Sequence, residues 1–476
     1  MTGDPADGLT RLIHEVREVG FGAETGFDHG RLTVSQDAAR ACVADDALGE
    51  VRLSWASPGQ SARIVKVLDS VEPRTKGAGG GGVYAGFVGP DKVQGRGATH
   101  VLRGAAVVAA GYLPRAQEAV VEMSGPAAAL SPLGATHNLV VEFTPADGAP
   151  WEDVDRALRR GLLRLAVHLA DATLEAPLDA EEHFPAPRPA PASDGRPRVG
   201  AITNLQTQGA FKDIFVYGRS FSGGLPTLID PGELDDGAVV SGQFGHPSLK
   251  NPTFMHQNHP VVAALRARHG HDLDFAGVCI SPEPVAAGHK ELVSAHAARL
   301  CAAAGWDAVI LTKEGGGNAD ADVALKMDAL EDAGLTAVGL FAEMAGPDGT
   351  GPPIVVAPER ATAMVSTGNY DERLVLPAVD RALGGDTIAL LDRPATDEVE
   401  LPIAVVYCAL SPLGWNHLPC APDVAREALP VHTVPPCAAS STTSTSSSPA
   451  SAGRTRPARH RPPRPSPSDP VASWRS

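Results

Sequence analysis

The sequence contains no run of about 20 apolar residues, the length a membrane-spanning helix needs, so no span is expected. It also lacks any CxxC pair. Its six cysteines, Cys42, Cys279, Cys301, Cys408, Cys420 and Cys437, are scattered, which suggests neither a zinc site nor a dithiol redox motif. Isolated buried thiols are expected instead, because free cysteine behaves as a small hydrophobe. The opening residues Met1 to Gly8 are polar and lack the apolar segment of a secretory signal, so the cytoplasm is the expected compartment. Basic charge is short as well: 40 Lys and Arg stand against 56 Asp and Glu, a formal net charge of -16. Phosphate backbones and anionic lipids are met by clustered Lys and Arg. Neither a nucleic acid nor a membrane surface is therefore an expected partner.

What is present supports a folded α/β protein. The 476 residues are 43% hydrophobic, enough for two or three domains with proper cores. Short apolar runs separated by Gly and Pro (Val51 to Trp55, Ile64 to Val71, Val101 to Ala109, Ala119 to Met123, Leu139 to Phe143) read as strands. The stretch from Lys76 to Gly82 is so rich in glycine that it reads as a loop. Residues 151–173 carry a helical stripe of Val154, Leu158, Leu162, Leu165, Ala166 and Leu169, with Asp155, Arg156, Arg159 and Arg160 on the other side. Strand and helix patterns then alternate: Phe275 to Ser281, Glu291 to Ala304, Ala308 to Thr312, Ala321 to Ala333, Thr336 to Phe341 and Ala363 to Ser366. Such alternation predicts a parallel sheet with helices on both faces.

The expected fold class is thus α/β. A β-rich N-terminal domain over 1–175 closes with its helix and leads into a Pro-rich linker over 176–197. A doubly wound, mainly parallel α/β domain follows over 198–432. From about Thr433 the chain is Ser/Thr-rich and then Arg/Pro-rich, a composition that predicts a disordered C-terminal tail over 433–476.

Several ordered segments carry a resemblance. They include Glu72-Pro73-Arg74, residues 97–108 (Gly-Ala-Thr-His-Val-Leu-Arg-Gly-Ala-Ala-Val-Val), Met123-Ser124-Gly125-Pro126 and residues 236–242 (Asp-Gly-Ala-Val-Val-Ser-Gly). Later come His256-Gln257-Asn258-His259-Pro260-Val261, residues 311–318 (Leu-Thr-Lys-Glu-Gly-Gly-Gly-Asn) and residues 364–369 (Met-Val-Ser-Thr-Gly-Asn). In this order, over about 30–420, the chain resembles the component B pro-protein of glycine, sarcosine and betaine reductases, a pyruvoyl-forming family related to the D-proline reductase pro-protein. The resemblance implies an oxidoreductase subunit that cuts itself at one internal residue. That residue becomes a pyruvoyl group, which holds a small amine substrate as a Schiff base for reductive C–N cleavage. It also implies a partner subunit with a selenocysteine or reactive Cys, and a separate thiol-dependent electron donor. Members typically carry Cys at the cut. Here the matching position is Ser248, in Gly245-His246-Pro247-Ser248-Leu249-Lys250-Asn251.

Forming that group from Ser248 has definite requirements. The hydroxyl must attack the Pro247 carbonyl, shifting the backbone to an ester. β-Elimination then gives dehydroalanine, and hydrolysis of its imine leaves a ketone. A neutral hydroxyl is a weak nucleophile and needs a base. His246 and His256 are the nearest in sequence, and imidazole titrates near neutrality. The tetrahedral oxyanion needs a donor, for which Asn251 and Asn258 are candidates. Gln257 joins them as a candidate substrate contact. Lys313, Gly315 and Gly316 follow a strand and precede a helix, a context that holds an anion such as a substrate carboxylate. Ser366 and Asn369 occupy a similar loop. A metal site from His246, His256 and His259 is the weaker alternative, with no HxxxH helix or Cys partner to support it. Two other functions stay open: an unprocessed binding or scaffold subunit, and a relative acting on another amine such as proline.

Overall fold

The computed structural model describes residues 8–415, apart from 78–80, 90–91, 115, 187–194, 208–213 and 243–244. Cys420, Cys437, part of the glycine-rich loop and the tail from 433 lie outside the described residues.

Two four-stranded sheets dominate the first half. Strands β1 (Gly8–Glu15), β2 (Leu48–Ala56), β3 (Ala62–Ile64), β4 (Val67–Val71), β5 (Gly97–Arg103), β6 (Ala105–Ala110) and β7 (His137–Pro145) precede helix α1 (Trp151–Asp171) and strand β8 (Ala180–Pro185). One sheet runs β8-β1-β5 and ends on the short strand Arg74–Lys76. The other runs β2-β7-β6-β4. Strand β8 lies in the Pro-rich stretch expected as a linker, antiparallel to β1. Two of the apolar runs break in the middle. Ile64 to Val71 divides into β3 and β4 at Lys66, whose φ is 54°, and Val101 to Ala109 divides into β5 and β6 at Gly104, whose φ is 85°. A Cβ at Gly104 would sit 3.1 Å from the Val16 carbonyl oxygen. Only glycine takes that left-handed turn without strain, so one hydrophobic run serves two sheets.

The β2-β7-β6-β4 sheet is covered on both sides, because alternate residues of a strand point to opposite faces. Val107, Ala109, Leu139 and Val141 pack on the apolar stripe of α1. Ala106, Val108, Ala110 and Val140 pack on Tyr407, Cys408 and Leu413 from near the end of the described chain. The outer face of α1 is less open than its pattern suggested. Arg156 is exposed, but Asp155 and Arg159 are buried as an ion pair at 2.7 Å, one turn apart. Pairing is what lets charged residues leave water.

The second half builds one six-stranded sheet. Strand β9 (Arg198–Gln206) and β10 (Thr227–Ile229) precede helix α2 (Pro260–Arg268). Then come β11 (Asp274–Glu283), α3 (Ala287–Ala303), β12 (Ala308–Thr312), α4 (Asn318–Asp332), β13 (Thr336–Glu343) and β14 (Ala363–Asn369). The order is β10-β11-β9-β12-β13-β14. All neighbours are parallel except the edge pair β10-β11. Val261, Val262 and Leu265 of α2 pack with Ala201, Val278 and Ile280. Helices α3 and α4 pack with Ile202, Cys279, Val309 and Leu311 on the opposite side. Cys279 and Cys301 are fully buried there. Among the described residues no helix is long and apolar enough to cross a membrane.

The last described segment returns to the first half. Strand β15 (Arg381–Leu383) pairs in parallel with β3, and Val406 bridges to Val120. This return places the turn at 407–410 against the loop that contains Ser248.

Candidate functional site

Ser248 lies in a single 3-10 turn, Pro247–Leu249, and is completely buried. The turn is entered through His246 in the left-handed region, at φ 48°. Two backbone bonds pin it to the returning segment. The Cys408 N–H donates to the Pro247 carbonyl at 2.9 Å, and the Leu410 N–H donates to the Ser248 carbonyl at 2.9 Å. Cys408 is itself left-handed, at φ 64°. For a residue with a Cβ this conformation costs about 1–2 kcal/mol, so two strained residues bracket the Pro247–Ser248 peptide. The Ser248 hydroxyl has no hydrogen-bond partner, an uncommon state for a buried polar atom.

Beyond Ser248 the loop is stitched to the carboxyl edge of the six-stranded sheet. The Asn251 side chain donates to the Lys313 carbonyl at 2.8 Å and accepts from the Ser411 hydroxyl at 2.8 Å, while its N–H donates to Glu314 at 3.2 Å. Lys250 is buried and donates to the Ser241 hydroxyl at 2.5 Å. Burial pulls its pKa down, against the nearby Glu314 and Asp69 carboxylates. Burial pushes Glu314 up to about 7, against the Lys250 charge. Glu283, at the end of β11, is also driven up by burial, aided by Asp322. At the same edge the side-chain oxygens of Asn204 and Ser281 and one Glu314 oxygen find no hydrogen-bond partner.

The structure distributes the expected site residues unevenly. Asn251 meets Lys313 and Glu314, while Ser248 is bonded through its carbonyl to Leu410. The two histidines diverge. His246 is half-buried, with Nδ1 3.3 Å from the Tyr370 hydroxyl. His256 is fully buried, and neither ring nitrogen makes a hydrogen bond. Burial lowers it well below its ordinary pKa, reinforced by the neighbouring His259 and Lys250. No hydrogen bond joins either ring to the Ser248 hydroxyl. His259 caps α2 and meets Thr203 at 2.9 Å, and burial drops it to about 3. Among the described residues no group of three or more His, Cys, Asp or Glu is placed to hold a metal ion.

Gln257 and Asn258 face the first half. Gln257 binds the Glu72 backbone and the Tyr84 hydroxyl; Asn258 bonds the side chains of Glu72 and Arg74. Lys313 is paired with Asp320 in the first turn of α4. Gly315, at φ 74°, lies where a Cβ would come within 2.9–3.1 Å of the Gln206 side chain; a Cβ on Gly316 would overlap Met344. Asn369 ties the loop after β13, bonding the Gly346 carbonyl and the Ala345 N–H. The Ser366 hydroxyl accepts from the Gly368 N–H. The sequence marks Cys408 only as an isolated thiol and gives Ser411 no role. A signal was there: the hexapeptide Ala-Leu-Ser-Pro-Leu-Gly occurs twice, at 129–134 and 409–414.

Two cavities flank the loop. One, about 630 Å³, is walled by His256, His259, Arg11, Arg266 and Asp235 among others. The other, about 500 Å³, reaches Pro247, Tyr370 and Gln117. Ser248 lines neither.

A buried serine whose hydroxyl has no hydrogen-bond partner thus lies between two left-handed residues, at the carboxyl edge of a parallel sheet in a mixed α/β protein. The chain belongs to the family of glycine/sarcosine/betaine reductase component B subunits, whose profile matches residues 9–417. It is 36% identical over 414 residues to the glycine reductase complex component B subunits alpha and beta of Peptoclostridium acidaminophilum, covering 85% of this chain and 97% of that one. From the same organism, the sarcosine reductase complex component B subunit alpha is 33% identical over 373 residues, covering 78% and 87%. The betaine reductase complex component B subunit alpha is 29% identical over 427 residues, covering 84% and 96%. No solved structure matches the chain.

Proposed function

We propose that this chain is the substrate-binding subunit of a reductase complex, in which self-cleavage before Ser248 makes a ketone that holds a small amine. The observation that carries this reading is the Ser248 hydroxyl: wholly buried, bonded to nothing, and next to the peptide bond it must attack. A pyruvoyl group made from Ser248 fits these surroundings, since it would remove that unsatisfied hydroxyl. Kinship supports the cut. A relative that this chain matches over 97% of its length is named for two subunits, alpha and beta, on one chain.

The pyruvoyl group, once present, supplies an electrophilic carbonyl for a substrate amine. The rest falls to side chains already in place. Asn251, held by Ser411 and Lys313, fixes the loop against the sheet edge. Glu314, titrating near neutrality, suits proton transfer to or from an amine. We read the six-stranded sheet of 198–369 with its helices as doubly wound, an arrangement in which ligands gather at the carboxyl ends of the strands. A selenol or thiol from a partner subunit then breaks the C–N bond; that the relatives are named as components of complexes supports a partner.

Denaturing mass spectrometry tests the processing. The expected result is two fragments, the second starting at position 248 and blocked to amine-terminal sequencing. A single intact mass overturns it. The second reading, an unprocessed binding subunit, is favoured by serine standing at the expected cysteine position and by the missing hydrogen bond from either histidine. Cutting in wild type but not in Ser248→Ala excludes it.

A further inference from the structure

We infer that the backbone N–H groups of Cys408 and Lys250 form a ready-made oxyanion hole for the Pro247 carbonyl, held in aim by the left-handed turn at Cys408. This rests on the proposed self-cleavage and identifies the donors it uses. The Pro247 oxygen accepts from Cys408 N–H at 2.9 Å and from Lys250 N–H at 3.2 Å. The Lys250 bond is local, closing the 3-10 turn that contains Ser248. The Cys408 bond spans the fold, because Cys408 arrives on the segment that packs across the β2-β7-β6-β4 sheet. Its conformation is unfavourable for any residue with a Cβ, and such strain persists only where the surroundings hold it. The next bond, Leu410 N–H to the Ser248 carbonyl, fixes the register. The side chains suggested by sequence for this task are committed elsewhere: Asn251 to Lys313 and Asn258 to Glu72 and Arg74.

The step is then explicit. The Ser248 Oγ bonds to the Pro247 carbonyl carbon, and the carbonyl π pair moves onto oxygen, where the two N–H groups receive it. Collapse of the adduct breaks the C–N bond. The hydroxyl proton ends on the departing Ser248 nitrogen, leaving an ester between residues 247 and 248. Donors aimed at developing charge are worth the most when they need not move to reach it.

The test compares cutting in Cys408→Val and Cys408→Gly. Valine is β-branched and excluded from φ near +60°, so it shifts the N–H away. Glycine keeps the turn and the N–H while deleting the thiol. Cutting slows about 100-fold or more in the valine variant and is restored at least tenfold in the glycine variant relative to valine. If valine cuts as fast as its parent with circular dichroism unchanged, or glycine is as slow as valine, the hole is overturned. Should valine not fold, loss of cutting in Cys408→Gly alone overturns it. The same pair is made in Ser248→Cys, with hydroxylamine to trap the thioester. If wild type stays whole while Ser248→Cys is cut at 247/248 in a Cys408-dependent way, the hole stands and self-cleavage by serine falls. If neither wild type nor Ser248→Cys is cut, the hole falls too.

Discussion

Two buried polar clusters lie close together in this protein and differ in one respect. In the first, Arg74, Gln257 and Asn258 have every side-chain polar atom bonded: Arg74 to Glu72, Asp235, Asn258 and the Gln257 carbonyl, the two amides to Glu72, Tyr84 and Arg74. In the second, around Ser248, the hydroxyl, both His256 nitrogens and one Glu314 oxygen have no hydrogen-bond partner. A satisfied network rigidifies a core, whereas unsatisfied groups in a low-dielectric interior raise its energy. The first cluster fastens two halves of the chain. The second leaves buried polar atoms without hydrogen-bond partners.

Four substitutions bear on that contrast. Ser248→Ala has the largest effect on chemistry, removing the fragment at 248 entirely on denaturing mass spectrometry. Its unfolding free energy from urea titration stays within about 1 kcal/mol of the uncut wild-type chain, since no hydrogen bond is lost. Arg74→Ala does the opposite. It strands the buried Glu72 charge, while Asp235 keeps Arg266 at 2.8 Å and Arg11 at 3.2 Å, and lowers stability by about 3–5 kcal/mol in urea titration. Should Ser248→Ala destabilise as much as Arg74→Ala, the two clusters are not different in kind.

Glu314→Gln tests the second cluster by pH. The Glu314 carboxyl holds its proton more tightly folded, at about 7, than its ordinary value of 4.5. Its contribution is therefore complete below pH 4.5 and is lost as pH rises towards 7, on the order of 3 kcal/mol in all. The glutamine variant lacks that decline, so its stability relative to wild type improves between pH 4.5 and 7.5 in parallel urea series. A constant difference across that range contradicts the shift. Asn258→Ala has the smallest effect: it loses hydrogen bonds to charged Glu72 and Arg74, about 1–3 kcal/mol, read in the same assay with cutting unchanged.

Much of the second half was legible in the sequence. The strand Ala308–Thr312 and the alternation around it were visible because parallel strands are apolar and their helices amphipathic. The splitting of Val101 to Ala109 was not, since nothing local says that Gly104 turns the chain from one sheet into another. Strand β8 was hidden by its Pro-rich setting. At the candidate site, Ser248 was singled out from resemblance, but which residues surround it was not legible. Asn258 and Gln257 follow His256 directly, yet they serve the junction with Glu72 and Arg74.

The sequence by itself determined the acidic, Cys-poor α/β character, four strands of the six-stranded sheet with helices α3 and α4, and one serine as the candidate position. Those are properties of composition and short-range periodicity. Only the tertiary structure decided that Cys408, 160 positions after Ser248, donates to the carbonyl before it. A hydrogen bond between distant segments depends on how sheets stack and where a chain returns, and neither leaves a mark in local sequence.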